Sequence, residues 1–307
     1  MLLSLVIPVY NEGKNLYKLM STIDKELSRY NLEVILVNDG SKDNSLEVLR
    51  DIDIKYPYAN YYSFSRNFGK EAAMFGGLKQ VKGDACVIMD ADLQHPPELI
   101  HEMIEFYEKG YDQVVAKRSR EGESKLRALP TKLFYRVMNI TADVNLTDGE
   151  GDFRLLSKDV VDSIVSLNEY NRFSKGIFEW VGYKKKSIPM RNVVREEGES
   201  SFSPFKLVDY AIDGIVSYNN KPLRICFYIG SFIMLLSILY ILVALIQTIT
   251  HGVTTPGYFT LLASILLLGG IQLFCLGIVG EYIGRIYYET KSRPHYIIKE
   301  SSDDHAA

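Results

Sequence analysis

The chain reads as an α/β protein with a doubly wound, mostly parallel sheet, followed by interfacial helices and a two-helix transmembrane hairpin. Three observations predict this. Short apolar runs alternate with amphipathic stretches up to about residue 117. Positions 225–280 are 56 consecutive residues without Asp, Glu, Lys or Arg, in a chain of 307 residues that is 24% charged. Between these regions lie a basic stretch and a second amphipathic stretch, suited to a membrane surface.

Strand expectations, in order, are Leu2–Val9, Leu32–Val37, Tyr61–Ser65, Ala85–Met89 and Gln113–Ala116. Helical patterns at Leu16–Ser28 and Ser45–Ile54 separate the first three. MLLSLVIPVYNE lacks a basic leader and stops being apolar at Tyr10, so it reads as a first strand rather than a signal peptide. In such sheets, ligands bind in the crevice beyond the carboxyl ends of the strands.

Residues 117–136 carry seven Lys/Arg against two Glu, with Leu126, Leu129, Leu133, Phe134 and Val137 near helical spacing. On an arbitrary protein this is a solvated face; before a membrane anchor it reads as an interfacial basic helix. Phe205–Tyr218 is the second amphipathic stretch. An α/β domain over 1–220 is expected to precede spans at about 225–246 and 258–283, since roughly 20 apolar residues cross a core about 30 Å thick. Lys221 and Arg224 precede the first span, Arg285, Lys291 and Arg293 follow the second, and the connecting loop has no Lys or Arg. The positive-inside rule then puts the loop outside, with the α/β domain, both termini and the 284–307 tail in the cytoplasm of a multi-pass cell-membrane protein. The end of the tail, ESSDDHAA, is polar and reads as disordered.

Thirty-five Lys+Arg balance 38 Asp+Glu, which argues against a nucleic-acid partner. Cys86, Cys226 and Cys275 are too few and too scattered for a disulfide framework or a zinc site. Chemistry is carried by Asp90-Ala91-Asp92, two carboxylates at the end of an apolar strand, where a divalent cation could be held against a diphosphate. Asp51-Ile52-Asp53 has the same spacing but ends a helix, so it reads as a solvated terminus. Pro8 to Glu12 and Asn38 to Ser41 follow the first two strands, where Tyr10 could pack on a base and Asp39 accept an imide N–H.

Together these segments resemble the family 2 glycosyltransferases of GT-A fold, nearest to the polyprenyl-phosphate glycosyltransferases that include bactoprenol glucosyltransferases and dolichyl-phosphate mannose synthases. VIPVYNE (6–12), VNDGS (37–41), SRNFGKE (65–71), DADLQHPPE (90–98), GDFRLLS (151–157) and NRFSKGIFEWVGY (171–183) carry the likeness. It continues through GESSFSPFKL (198–207), DGIVSYNNKPLR (213–224) and the paired spans. The resemblance implies Mg2+ or Mn2+ on Asp90, Asp92 and Gln94. It implies nucleotide-sugar contacts at Pro8, Tyr10, Glu12, Asp39, Asn67, Lys70, Asp90 and Ala91. The acceptor phosphate would meet Arg118 and Arg127, with Arg195 and Ser200 as further candidates, and Asp152 would be a base or an acceptor-site carboxylate. Two positions depart from the pattern: Asn38 stands for a common aspartate, and Ser201 for a usual lysine.

The implied reaction is inverting transfer of one hexose, from UDP-glucose or UDP-N-acetylglucosamine, to undecaprenyl phosphate, giving a lipid-linked sugar for cell-envelope glycan modification. A phosphate monoester with a second pKa of about 6 is already largely dianionic at neutral pH, so it needs little deprotonation to attack. The task is electrostatic, and Asp152 is expected to orient more than to take a proton. The same chemistry with mannose or an aminoarabinose derivative stays open, as does assembly of several chains. A processive synthase is the rival within the family, but the single tryptophan, Trp180, sits in FEWVGY without the usual Gln-x-x-Arg-Trp signature. An inactive membrane scaffold or sugar-nucleotide sensor is the rival outside it.

Overall fold

The computed structural model describes residues 1–118, 147–190, 221–251 and 257–305. Arg127, Arg195, Ser200, most of the basic stretch and Phe205–Tyr218 lie outside the described residues. Strands are β1 (Leu2–Val9), β2 (Asn31–Asn38), β3 (Ala59–Phe64), β4 (Ala85–Ile88), β5 (Gln113–Arg118), β6 (Glu150–Ser157), β7 (Lys185–Met190) and β8 (Ile298–Ser301). Helices are α1 (Gly13–Leu27), α2 (Ser45–Lys55), α3 (Lys70–Leu78), α4 (Leu99–Glu108), α5 (Lys158–Ser166), α6 (Ser174–Trp180), α7 (Lys221–His251) and α8 (Tyr258–Thr290).

All eight strands form one sheet, in the order β7-β5-β6-β4-β1-β2-β3-β8. β1 is buried on both faces, which is why its sequence is a continuous apolar run rather than an alternation. Leu3, Leu5 and Ile7 meet the apolar stripe of α1, whose Leu16, Leu19, Met20, Ile23 and Leu27 recur at helical spacing. On the other face α3 lies so close that a Cβ on Gly77 would come within 2.5 Å of Val6, and only glycine allows that approach. β1 feeds β2 on one side while the β3–α3 connection returns to β4 on the other. A crevice therefore opens between the ends of β1 and β4.

The sheet is mixed rather than simply doubly wound. β1 to β5 and β7 share a direction, but β6 enters between β4 and β5 antiparallel to both. The β4–β6 ladder pairs Ile88 with Arg154, and carrying its register two residues onward sets Asp90 opposite Asp152. Only an antiparallel strand can bring its first residues to the carboxyl end of β4, so this insertion delivers Asp152 to the crevice.

The chain end corrects the expectation of a disordered tail. β8 pairs antiparallel with the edge of β3, and Ser302–His305 forms a 3-10 turn. Arg50 donates from Nε and Nη2 to the two carboxylate oxygens of Glu300 at 2.7 Å each. Tyr61 donates its hydroxyl to Glu300 at 2.7 Å and its N–H to Ser302 Oγ at 2.7 Å, while Tyr296 stacks on Phe64 with centroids 4.6 Å apart. The chain accordingly divides into two compact units, Met1–Gly214 with Arg293–Ala307, and Ile215–Ser292.

The second unit contains α7 and α8, which expose large apolar side chains such as Phe227, Phe232, Leu239, Leu267 and Phe274. Among the described residues, Leu267–Thr290 is the one helical segment long and apolar enough to cross a membrane; Cys226–Tyr240 is apolar but shorter.

If Glu300 anchors β8, Glu300→Ala should lower the thermal midpoint of the detergent-solubilised chain by about 2–4 °C. That corresponds to about 1 kcal/mol once the exposure of Arg50 is allowed for. Arg50→Ala should do the same and the double variant little more. Scanning calorimetry checks this, and an unchanged midpoint in Glu300→Ala would remove the anchor.

Candidate functional site

Two loops beyond β1 and β2 are lashed together before any ligand arrives. Asn11 takes a left-handed φ of 56°, which lets its side-chain oxygen accept the Lys42 N–H at 2.8 Å while its own N–H goes to Ser41 Oγ at 3.0 Å. Asn38, at the position where an aspartate is usual, is buried and uses both ends of its amide: it donates to Ser63 Oγ at 2.9 Å and accepts the Ser41 N–H at 3.0 Å. An ionised aspartate could meet Ser63 only by accepting its hydroxyl proton, with the direction of that bond reversed. Gly40 has φ of +63°, and a Cβ there would meet the Arg66 backbone at 2.3 Å.

Asp39 is buried and its carboxylate oxygens accept the N–H groups of Phe68 (2.6 Å) and Gly69 (2.9 Å). Burial raises its pKa, opposed by those two bonds and by Arg66. Its structural work is to clamp the β3–α3 loop; a base N–H would have to use the remaining lone pairs of the same oxygens. The clamp fixes the start of α3, where Lys70 is the first helical residue.

From Lys70 the ammonium reaches Asp90 Oδ1 at 2.6 Å and Asp152 Oδ2 at 2.7 Å. Burial of Asp152 favours its neutral form, but Lys70, then Lys175 and Arg154, outweigh it and hold the carboxyl below the usual carboxylate range. Burial likewise opposes the charge on Lys70, and Asp152 and Asp90 together more than restore it. Asp152 is therefore an anion at neutral pH and a poor proton acceptor. Behind it, Arg154 is fully buried, lies 3.8 Å over the Phe178 ring and donates Nη2 to the Gly151 carbonyl at 2.6 Å. Glu71, next to Lys70, is pushed up to about 7 by burial and the charge of Asp152, against hydrogen bonds from Ser174.

A buried histidine shapes the turn after β4. His95 is buried, stacks on Phe153 with centroids 4.7 Å apart, and accepts the Asp90 N–H on Nδ1 at 2.9 Å. Burial lowers its pKa, with Asp90 opposing and Lys70 and Arg118 reinforcing the shift. A neutral ring accepting at Nδ1 carries its proton on Nε2, which lies 3.9 Å from Asp90 Oδ2. Leu93 takes a φ of 62°, and Gln94 N–H donates to Asp92 Oδ1 at 3.1 Å. Arg118, exposed at the end of β5, donates to the Gln94 side-chain oxygen at 3.3 Å.

Pro8, Tyr10, Glu12, Asp39, Asn67, Lys70, Asp90, Ala91 and Asp92 all line one cavity of about 600 Å³. Asp152 and Gln94 are tied to that lining through Lys70 and Asp92. Asp51 lies elsewhere, on α2, where its carboxylate accepts the Tyr17 hydroxyl at 2.8 Å. The Lys70 bridge was not legible from spacing, because Asp90 and Asp152 meet only through the sheet register. For His95 the signal was its place five residues after Asp90.

Among the described residues no group of three or more His, Cys, Asp or Glu could hold a metal unaided. The donors that are present, two carboxylates and an amide oxygen, fit a hard cation whose shell is completed by substrate phosphates. An ammonium already seated between Asp90 and Asp152 marks this as a place built for positive charge.

Comparison with known proteins bears on what this site does. Residues 4–165 match the family described as Glycosyl transferase family 2, and residues 221–286 match the GtrB C-terminal hairpin. CsbB, a protein of Bacillus subtilis (strain 168), is 50% identical over 303 residues, spanning 98% of this chain and 92% of that one. The bactoprenol glucosyl transferase of Shigella phage SfX is 42% identical over 302 residues, 97% of this chain and 99% of its own. A solved structure of the mannosyltransferase PcManGT from Pyrobaculum calidifontis, with GDP-Man and Mn2+, is similar at a TM-score of 0.47 and 12% identity, over 92% of this chain and 86% of that one.

Proposed function

Because the chain belongs to glycosyl transferase family 2, and is a glycosyltransferase, we propose that it moves one glucose from UDP-glucose to undecaprenyl phosphate at a membrane surface. The observation that carries this reading is the convergence of Asp90, Asp92, Asp152, Lys70 and the loops after β1 and β2 on one cavity edge. The near full-length likeness to bactoprenol glucosyl transferases supports the sugar and the lipid acceptor. The open cavity takes the nucleotide between Tyr10 and the clamped loop at Asp39. Asp90, Asp92 and Gln94 would hold Mg2+ or Mn2+, which when bound stabilises the negative charge of the departing diphosphate.

The chain's own residues do the rest by electrostatics. Asp152, anionic and pinned by Lys70, orients the site without taking a proton, which a largely dianionic acceptor phosphate does not require. Arg118, whose guanidinium lies beside Gln94, would meet the acceptor phosphate, where a charge-assisted hydrogen bond is worth about 1.5–3 kcal/mol. Attack by the phosphate oxygen on the anomeric carbon, opposite the diphosphate, inverts the configuration and leaves no sugar on the enzyme.

The chain end bears on topology. Because β8 is a strand of the catalytic sheet, the polypeptide that leaves for α7 must come back after α8 to the same compartment. This supports paired crossings by α7 and α8 with both ends in the cytoplasm, the arrangement the charge pattern favours.

Two measurements test the proposal. Membranes containing the protein, given undecaprenyl phosphate and a panel of radiolabelled nucleotide sugars, should yield a labelled lipid from UDP-glucose. Asp92→Asn should lose at least 100-fold in rate, Arg118→Ala should lose acceptor use with UDP binding retained, and Asp51→Asn should match wild type. No lipid product from any donor, or full activity in Asp92→Asn, contradicts the reading. For topology, with Cys226 and Cys275 replaced, Thr254→Cys should react with an impermeant thiol reagent in intact cells and Lys299→Cys should not. The reverse pattern overturns the orientation.

A further inference from the structure

Lys70 makes two strong ion pairs inside the cavity where a divalent cation is expected. Its Nζ is 2.6 Å from Asp90 Oδ1 and 2.7 Å from Asp152 Oδ2, so one oxygen of the first acid is already occupied by positive charge. Its backbone is not free to retreat, because Asp39 grips the Phe68 and Gly69 N–H groups just before it and Gly69 holds a φ of 97°. The side chain is a different matter: four carbons carry an ammonium with three donors, able to swing between partners within one cavity. Asp92 has one carboxylate oxygen turned to the Gln94 N–H at 3.1 Å.

We propose that Lys70 is a resident counter-cation of the donor site, holding Asp90 and Asp152 together in the empty enzyme and excluding a divalent cation until a nucleoside diphosphate arrives. This rests on the donor-site reading above and deepens it. Without Lys70, two carboxylates facing each other across the β4–β6 register would repel, and the end of each strand would splay. With it, a divalent cation approaching Asp90 meets an ammonium at contact distance from the oxygen it needs. A nucleoside diphosphate changes both sides of that competition. Its oxygens add to the donors of Asp90, Asp92 and Gln94 in the coordination shell, and they offer Lys70 new anionic partners. Metal and donor are thereby taken up together, and the enzyme does not fill its acidic pocket with free cations between turnovers.

The test is a titration of the purified full-length protein in detergent with Mn2+, followed by the electron paramagnetic resonance signal of the free ion, with and without UDP. UDP binding itself is followed by calorimetry. Wild type should bind Mn2+ at least tenfold more tightly with UDP than alone. Lys70→Gln should bind Mn2+ alone five- to tenfold more tightly than wild type, so that the gain from UDP shrinks. Lys70→Arg, which keeps the charge, should behave as wild type. Arg66→Gln, which removes a cation from the same loop without touching Asp90, should shift Mn2+ affinity less than twofold. Wild-type affinity for Mn2+ that is the same with and without UDP, in a protein that binds UDP, overturns the role of Lys70 whatever the variants do. So does a folded Lys70→Gln with wild-type affinity for Mn2+ alone, and both of those outcomes leave the donor site standing. Absence of UDP binding to wild type overturns the donor-site reading and this inference with it.

Discussion

The register between β4 and β6 is the constraint on which the site depends. Past its last pair, Ile88 with Arg154, the chain brings Asp90 and Asp152 within reach of one ammonium, two like charges that repel without it. One ammonium reconciles them, and that ammonium is delivered by a helix whose first turn is held by Asp39. Remove any of the three and the others lose their reason: the strand insertion brings the acid, the clamp brings the base, and the ion pairs fix the distance. The same cross-brace favours the anionic form of Asp152.

Support for this brace comes from behind. His95 accepts the Asp90 N–H and stacks on Phe153, the residue that follows Asp152, so one buried ring contacts both strands that carry the acids. Asn38 and Asn11 do comparable work at the ends of β1 and β2, tying the loops that follow with amide hydrogen bonds. The cavity is thus held by amide and backbone contacts together with the Asp39 clamp and the Lys70 ion pairs.

Much of this was legible in the sequence where the signal is local. The buried strands β1 to β5 announce themselves as apolar runs, and Asp90-Ala91-Asp92 stands out because it ends one of them. What escaped was non-local. β6 carries a glycine, an aspartate and an arginine, so its strand character comes from its two partners rather than from its own pattern. β8 is a polar edge strand of four residues, held by the ladder to β3 and by Glu300 and Ser302, and composition alone reads such a segment as a loose end. The Lys70 bridge spans residues that are neighbours only after the sheet has formed.

The chain end returns to the sheet as β8, beside β3. The central claim, however, concerns the acidic mouth of the crevice. Crystals of the full chain grown with UDP and Mn2+, with diffraction collected at the manganese absorption edge, test it most directly. The account predicts an anomalous peak within coordination distance of Asp92 and of the diphosphate oxygens, with Lys70 Nζ moved off Asp90 towards the phosphates. A peak away from Asp90 and Asp92, or Lys70 still bridging Asp90 and Asp152 beside a bound ion, would contradict it.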